Sequence, residues 1–395
     1  MTLARIGATA KGGVRRLALS ELDGEARRLF IRWCEDAGCT IRVDPIGNIF
    51  ARRSGRDDKR APVMMGSHLD SQPSGGKFDG AYGVLAGLEV IRTLNDHDIA
   101  TDAPIEVVAW TNEEGSRFQP VMMGSGVHVG VHELGNSLAQ RDQDGVSAGE
   151  ALAAIGFAGT APLGHPARAY FEAHIEQGPI LEDAATTIGV VTGALGLRWF
   201  DVRVDGQDAH AGPTPMRLRH DAMLASAEVT VALNRIAMTN QPDGRATVGA
   251  IKALPNSRNV IPGRVDFTVD LRHSDESALD RMEAAFRAAC DDGARSRGMR
   301  FTIERVSAFP VSSFDATLVG AVREGARTLG HSHRDIVSGA GHDAIYMARV
   351  APAAMIFIPC EGGISHNEIE AARPEHVAAG CDVLLQAVLR TATDQ

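Results

Sequence analysis

The sequence predicts an α/β protein: a discontinuous domain with a mostly parallel sheet flanked by helices, interrupted by a compact inserted domain. Three observations predict it. Apolar strand-like runs alternate with helical periodicity through the first half of the chain, the signature of a parallel sheet covered by helices. After GVVTGALGLR the order becomes strand, helix, strand, strand, helix, strand, that is βαββαβ, the order of a ferredoxin-like two-layer unit. After Ser312 the α/β alternation returns.

Taken in order, Leu19–Ala37 shows apolar residues at helical spacing, and Ser20 followed by acidic residues is an N-cap signal. NIFARRSG and APVMMGSHLD read as strands, GAYGVLAGLEVIRTLND as a helix, and IEVVAWTNEEG as an apolar strand ending in a charged loop. From Arg198 come RWFDVRVDG (strand), Arg219–Ala237 (helix), ATVGAIKAL and RVDFTVDLR (strands), Glu276–Arg297 (helix) and RFTIERVSAF (strand). ATLVGAVREGARTLG then reads as a helix, APAAMIFIP as an apolar strand, and a last helix starts near Pro374. The outer domain is expected over 1–196 and 313–395, and the inserted domain over 197–312. A chain of 395 residues has room for this, since domains typically hold about 100–200.

Composition narrows the function. Fifty acidic against forty basic side chains give a net charge of −10, which disfavours nucleic acid as a partner. No apolar run is long enough to span a bilayer, and MTLARIGATAKGGVRR lacks the apolar core of a secretory signal, so a cytoplasmic protein without membrane partners is expected. The five cysteines form no CxxC pair and read as reduced thiols.

The chemistry gathers where strands end. In open α/β sheets, ligands and bases collect at the carboxyl ends of the strands. His68 and Asp70 follow PVMMGS, Asp79 sits in the glycine-rich loop beyond them, Glu113 and Glu114 follow IEVVAWTN, His174 and Glu176 follow RAYFEA, and His366 follows MIFIPCEGGIS. Imidazole together with carboxylate suits zinc or a neighbouring divalent transition metal, whereas calcium or magnesium favours oxygen alone. Singly, each group also reads as a solvated loop or a satisfied pair. Four strand ends supplying such groups in order do not.

The segments GSHLDS, GGKFDGAYGVLAG, TNEEGSRF, HIEQGPIL, GQDAHAGPTPM, NVIPG, DLRH, SGAGHDA and GGISHNE resemble the hydantoinase/carbamoylase branch of the zinc-dependent aminoacylase and carboxypeptidase clan, across nearly the whole chain. The resemblance implies an amidohydrolase with two divalent metal ions, zinc or else manganese, cobalt or nickel. His68 and His174 would hold one, Glu114 and His366 the other, with Asp79 bridging. Glu113 would be the general base, and Asp70 the acceptor of the second His68 N–H. Gln177, His210, Asn259, Arg272 and Gly341 would contact substrate, with His210 also assisting catalysis. The inserted domain would serve as lid and pair two subunits into a homodimer.

The implied substrate is a small ureido acid, with N-carbamoyl-L-amino acids favoured by GSHLDSQPSGG and LGLRWFDVRVDG. Allantoate, ureidoglycolate and N-carbamoyl-β-alanine are the alternatives, and a non-catalytic metal-binding protein is a remote one. GSGVHVG superficially resembles a dinucleotide phosphate loop but lacks the G-x-G-x-x-G spacing.

Overall fold

The computed structural model describes residues 1–393. Helix α1 (Glu21–Asp36) begins on Ser20, whose hydroxyl accepts the Asp23 N–H. Strands β1 (Thr40–Val43), β2 (Ile49–Arg53) and β3 (Val63–His68), helix α2 (Ala81–Asp96) and strand β4 (Ile105–Trp110) follow. Short helices α3 (Met123–His128), α4 (Leu134–Leu138) and α5 (Ala148–Ala154) lead to β5 (Ala169–Ile175), and α6 (Ile180–Asp183) leads to β6 (Ile188–Ala194).

The next stretch holds β7 (Gly196–Asp205), β8 (Ala209–His210), α7 (Ala222–Thr239), β9 (Arg245–Thr247), β10 (Ile251–Leu254), β11 (Val260–Ile261), β12 (Arg264–His273), α8 (Glu276–Arg297) and β13 (Arg300–Phe309). The chain then gives β14 (Ser312–Ser313), α9 (Ala316–Thr328), β15 (His333–Ser338), α10 (Asp343–Met347), β16 (Ala353–Ile358) and α11 (Pro374–Ala392).

Two compact units result: Met1–Gly193 with the described residues from Ser313 onward, and Ala194–Ser312. The first boundary falls ahead of the expected one after residue 196, because β6 closes the first sheet and β7 opens the second within those few residues.

In the first unit the strand order is β1-β2-β4-β3-β5-β16-β6-β14, with β15 also on β6. The central strands β4, β3, β5 and β16 are parallel to one another and buried along their full length, which is why they read as largely apolar runs. The flanks are antiparallel. Between β1 and β2 lie only residues 44–48, too few for a helical crossover, so that pair must turn back on itself. Helix α2 lies close on this sheet through Gly83, where an added Cβ would stand 2.4 Å from the Ala173 carbonyl oxygen.

The second unit has its own antiparallel sheet, β10-β12-β7-β13, with β9 beside β10 on β12. Burial alternates along β7 and β12, so one sheet face joins α7 and α8 in a core of Phe200, Val204, Phe267, Leu233 and Phe286. The single strand expected over ATVGAIKAL is split into β9 and β10. The Thr268 hydroxyl takes the Ala250 N–H at 3.1 Å and interrupts the ladder there. Among the described residues no helix is long and apolar enough to cross a membrane.

Candidate metal centre

The site of the first unit is assembled at the carboxyl ends of its parallel strands. His68 is the last residue of β3, and His174 is the penultimate residue of β5. Asp79 lies between β3 and α2, Glu113 and Glu114 lie beyond β4, and His366 lies beyond β16. The Asp79 loop passes so near β3 that a Cβ on Gly80 would stand 2.3 Å from the His68 ring, and Gly80 has φ 63°. Only glycine combines that conformation with that approach. At Asn112, φ is 52°, so the chain turns sharply and delivers both glutamates into the site.

Asp79 is the hub. Its Oδ1 stands 3.3 Å from His174 Nε2 and 3.7 Å from His68 Nε2, while its Oδ2 stands 3.3 Å from His366 Nε2. His366 Nε2 is in turn 3.4 Å from Glu114 Oε2. Potential ligand atoms of His68, Asp79 and His174, and of Asp79, Glu114 and His366, each lie within 4.8 Å of one another.

These donors fit divalent metal. His68 Nδ1 lies 2.9 Å from the Asp70 carbonyl and His174 Nδ1 lies 2.9 Å from the Ile175 carbonyl, so each ring spends its proton there and turns an unprotonated Nε2 toward Asp79. The Gly80 N–H, 3.2 Å from His174 Nε2, agrees with that tautomer. Lone pairs of nitrogen and carboxylate oxygen then face each other, an arrangement that a shared cation satisfies.

The acidities show that Asp79 favours positive charge beside it. Burial disfavours charge on His174, yet the contact with Asp79 outweighs it and raises the imidazole to about 9. Asp79 also raises His366 to about 9, against its burial, whereas burial takes His68 down to about 4. Burial and then Asp79 lift Glu114 to about 8. Glu113 is pushed well above the usual carboxylate range by burial, followed by Asp343 and Glu114.

Asp70 departs from the expected role. His68 Nδ1 bonds to the Asp70 main-chain carbonyl, and the carboxylate Oδ1 lies 3.9 Å away. The side chain instead accepts the main-chain N–H groups of Glu113 and Glu114, at 3.3 Å each. Those are buried donors with no strand partner, and a nearby carboxylate captures them. Glu113 Oε2 lies 3.6 Å from His68 Nε2, and Gln72 holds Glu114 through its N–H at 3.0 Å and its amide at 2.7 Å.

Of the expected substrate contacts, Gln177 is in this cluster, its Nε2 3.2 Å from Asp79 Oδ2 and 3.2 Å from Ser365 Oγ. Gly341 precedes His342, where an added Cβ would be 3.4 Å from Met122 Cε. His210 and Asn259 belong to the second unit, on the β8–β11 ribbon, where Val260 pairs with His210 and the Ala211 N–H meets the Asn259 carbonyl at 2.9 Å. Arg272, near the end of β12, holds Asp270 through Nε and Nη2, the latter at 2.8 Å.

Sequence reasoning missed a layer beneath the ligands. Glu172, His174 and His342 form a third cluster of potential ligand atoms, and the His342 ring meets that of His174 edge-on at 4.5 Å. Glu172 accepts from Ser67 Oγ at 2.7 Å and from the Ala344 N–H at 2.9 Å, and Asp343 takes the Ser125 hydroxyl. A signal existed: AYFEAHI carries one glutamate in a strand buried on both faces, and a buried charge requires arranged partners.

Fold and site together define an α/β protein that converges imidazoles and carboxylates on one bridging aspartate at its strand ends. The chain belongs to peptidase family M20/M25/M40, whose model matches residues 64–390. It is 50% identical over 393 residues to an N-carbamoyl-L-amino-acid amidohydrolase of Rhizobium meliloti, covering 99% of this chain and 94% of that protein. An allantoate amidohydrolase of Bacillus subtilis is 35% identical, with 99% and 95% covered. The crystal structure of a hydantoinase/carbamoylase family amidase from Burkholderia multivorans superposes with a TM-score of 0.96 at 56% identity, covering 100% of this chain and 96% of that one.

Proposed function

We propose that the protein is a metal-dependent amidohydrolase that converts N-carbamoyl-L-amino acids and water to the L-amino acid, ammonia and carbon dioxide. One observation carries the reading: the two oxygens of Asp79 face separate imidazole and carboxylate groups, with Glu113 beside them and outside both groups. The higher identity to the carbamoyl-amino-acid relative than to the allantoate relative supports the choice of substrate.

Two divalent metal ions, zinc, manganese, cobalt or nickel, would be held by His68 and His174 and by Glu114 and His366, with Asp79 shared. When bound they supply Lewis acidity toward the ureido carbonyl and toward water. Glu113 takes a proton from the attacking water and returns it to the leaving nitrogen, so the bond between carbamoyl carbon and amino-acid nitrogen breaks. The released carbamic acid falls apart to ammonia and carbon dioxide. Arg272 receives the substrate carboxylate on its planar fork, His210 and Asn259 donate to the developing oxyanion, and Gln177 and Gly341 complete the contacts.

The second unit would pair two subunits, with the His210 of each chain acting in its partner's site. Val231 and Met238 on α7, 51% and 64% exposed, support a face that a second copy covers.

The test is ammonia release from metal-stripped protein reconstituted with each metal. N-carbamoyl-L-amino acids should give the highest kcat/KM, and chelation should abolish turnover. Faster release from allantoate, ureidoglycolate or N-carbamoyl-β-alanine would transfer the assignment to that substrate. Undiminished turnover without metal would refute the metal reading.

A further inference from the structure

The residue that ties this site together is Glu370, which belongs to none of the groups described so far. It lies in the segment between His366 and α11 and is 1% exposed. Its Oε1 accepts the main-chain N–H groups of Phe78 at 3.0 Å and Asp79 at 3.1 Å, reaching across 291 residues of sequence to the latter. Its Oε2 accepts the Ser365 hydroxyl at 2.9 Å. Ser365 Oγ lies 3.4 Å from Asp79 Oδ2, and Ser365 immediately precedes His366.

One carboxylate thus holds both the main chain that carries Asp79 and the turn that carries His366. Burying a carboxylate is costly unless its oxygens are well supplied with donors, and here three converge. The loop closes over it: a Cβ at Gly76 would stand 1.9 Å from Glu370 Oε1. A ligand's orientation is set by what holds its backbone and its far side, and such partners typically change metal affinity by about 10–100-fold.

We infer that Glu370 is a positioning residue of the metal centre, fixing the Asp79 loop and the His366 turn against one another so that both side chains meet one cation pair. This rests on the metal-centre reading above. It also assigns Gly76 a task, to leave room for the Glu370 carboxylate. Glutamine at 370 can still accept both N–H groups through its carbonyl and donate its amide to Ser365. Alanine can do neither.

The experiment is a cobalt(II) titration of the metal-stripped full-length protein, followed by visible absorption, with thermal unfolding of the metal-free protein alongside. Glu370→Ala and Gly76→Ala should each raise the cobalt dissociation constant about 10–100-fold and change the absorption bands, and Glu370→Gln should stay within about threefold of the parent. A residue that only supported the fold would lower the metal-free unfolding temperature and leave cobalt affinity unchanged in folded protein. Folded Glu370→Ala binding cobalt like the parent would therefore overturn the inference. Where Glu370→Ala does not fold, Gly76→Ala decides, because it displaces the carboxylate without removing it. Should the parent itself take up no cobalt, the metal-centre reading falls and this inference with it; a parent that binds beside variants that bind equally removes the clamp alone.

Discussion

Glu113 and Glu114 are neighbours in the chain with different tasks in the proposed mechanism, and Asp70 separates them. By accepting both of their N–H groups it fixes the peptide between them, so that Glu114 meets His366 while Glu113 stays near His68. Glu113→Gln should keep metal content and unfolding temperature while kcat falls about 10²–10⁴-fold, the usual worth of a general base. Metal analysis beside steady-state kinetics checks this, and lost metal would mean that the two glutamates exchange roles. Arg272 allows a second check. Arg272→Lys should reduce turnover of N-carbamoyl amino acids far more than that of their uncharged amides, since only the acids offer two oxygens to a planar fork. Equal losses would mark a structural arginine. The motif-bearing residues were legible because metal chemistry restricts residue types; Glu370, Glu172 and Asp343 were not, because a carboxylate that accepts from main-chain N–H groups or from a distant hydroxyl has no fixed spacing from its donors.

At the scale of elements, the fit of α2 onto the sheet is set by one missing side chain. Because the neighbour of Gly83 is a strand carbonyl and not a movable side-chain tip, Gly83→Ala should shift the helix and cost about 1–3 kcal/mol, read from denaturant unfolding. Glu106 makes a second case. It is fully buried on β4 and accepts from His165 at 2.9 Å and from Arg42 on β1. Burial works to raise this carboxyl, but the contacts with His165 and Arg42 outweigh it and hold it below the usual range. An acid whose folded pKa is depressed stabilises above its unfolded pKa and loses that contribution as pH falls through the folded value. Glu106→Gln should therefore lower stability by about 1–3 kcal/mol near neutrality, and the deficit should shrink below about pH 4. Unfolding curves at several pH values test it, and a deficit that grows on acidification would reverse the sign. The long strands and helices were legible because their periodicity spans several turns or pleats. β1, β15 and the short helices α3 to α6 were not, since four to seven residues carry too little pattern against their surroundings.

At the scale of the molecule, the proposed dimer predicts complementation. Glu113→Gln and His210→Ala should each be inactive alone. Unfolded and refolded together, they form mixed dimers; if His210 serves the partner, one site then carries both lesions and the other carries none, so activity returns. Mixed dimers confirmed by mass but still inactive would place His210 in its own chain's site.

The position of β16 adds a consequence in time. It lies between β5 and β6, yet it is made long after both. At roughly 5–20 residues per second, the stretch from Ala194 to Ala353 takes about 10–30 s to synthesise. Throughout that interval the slot that β16 fills stays open, since β5 lacks one of its two neighbours and β6 lacks every partner it has in the sheet, while every residue of the second unit becomes available to fold. Such a slot is a template for any extended apolar segment, including the β16 of a chain on a neighbouring ribosome. His366 follows β16 out of the ribosome, so the two candidate ligand groups cannot both be complete until that strand has been made.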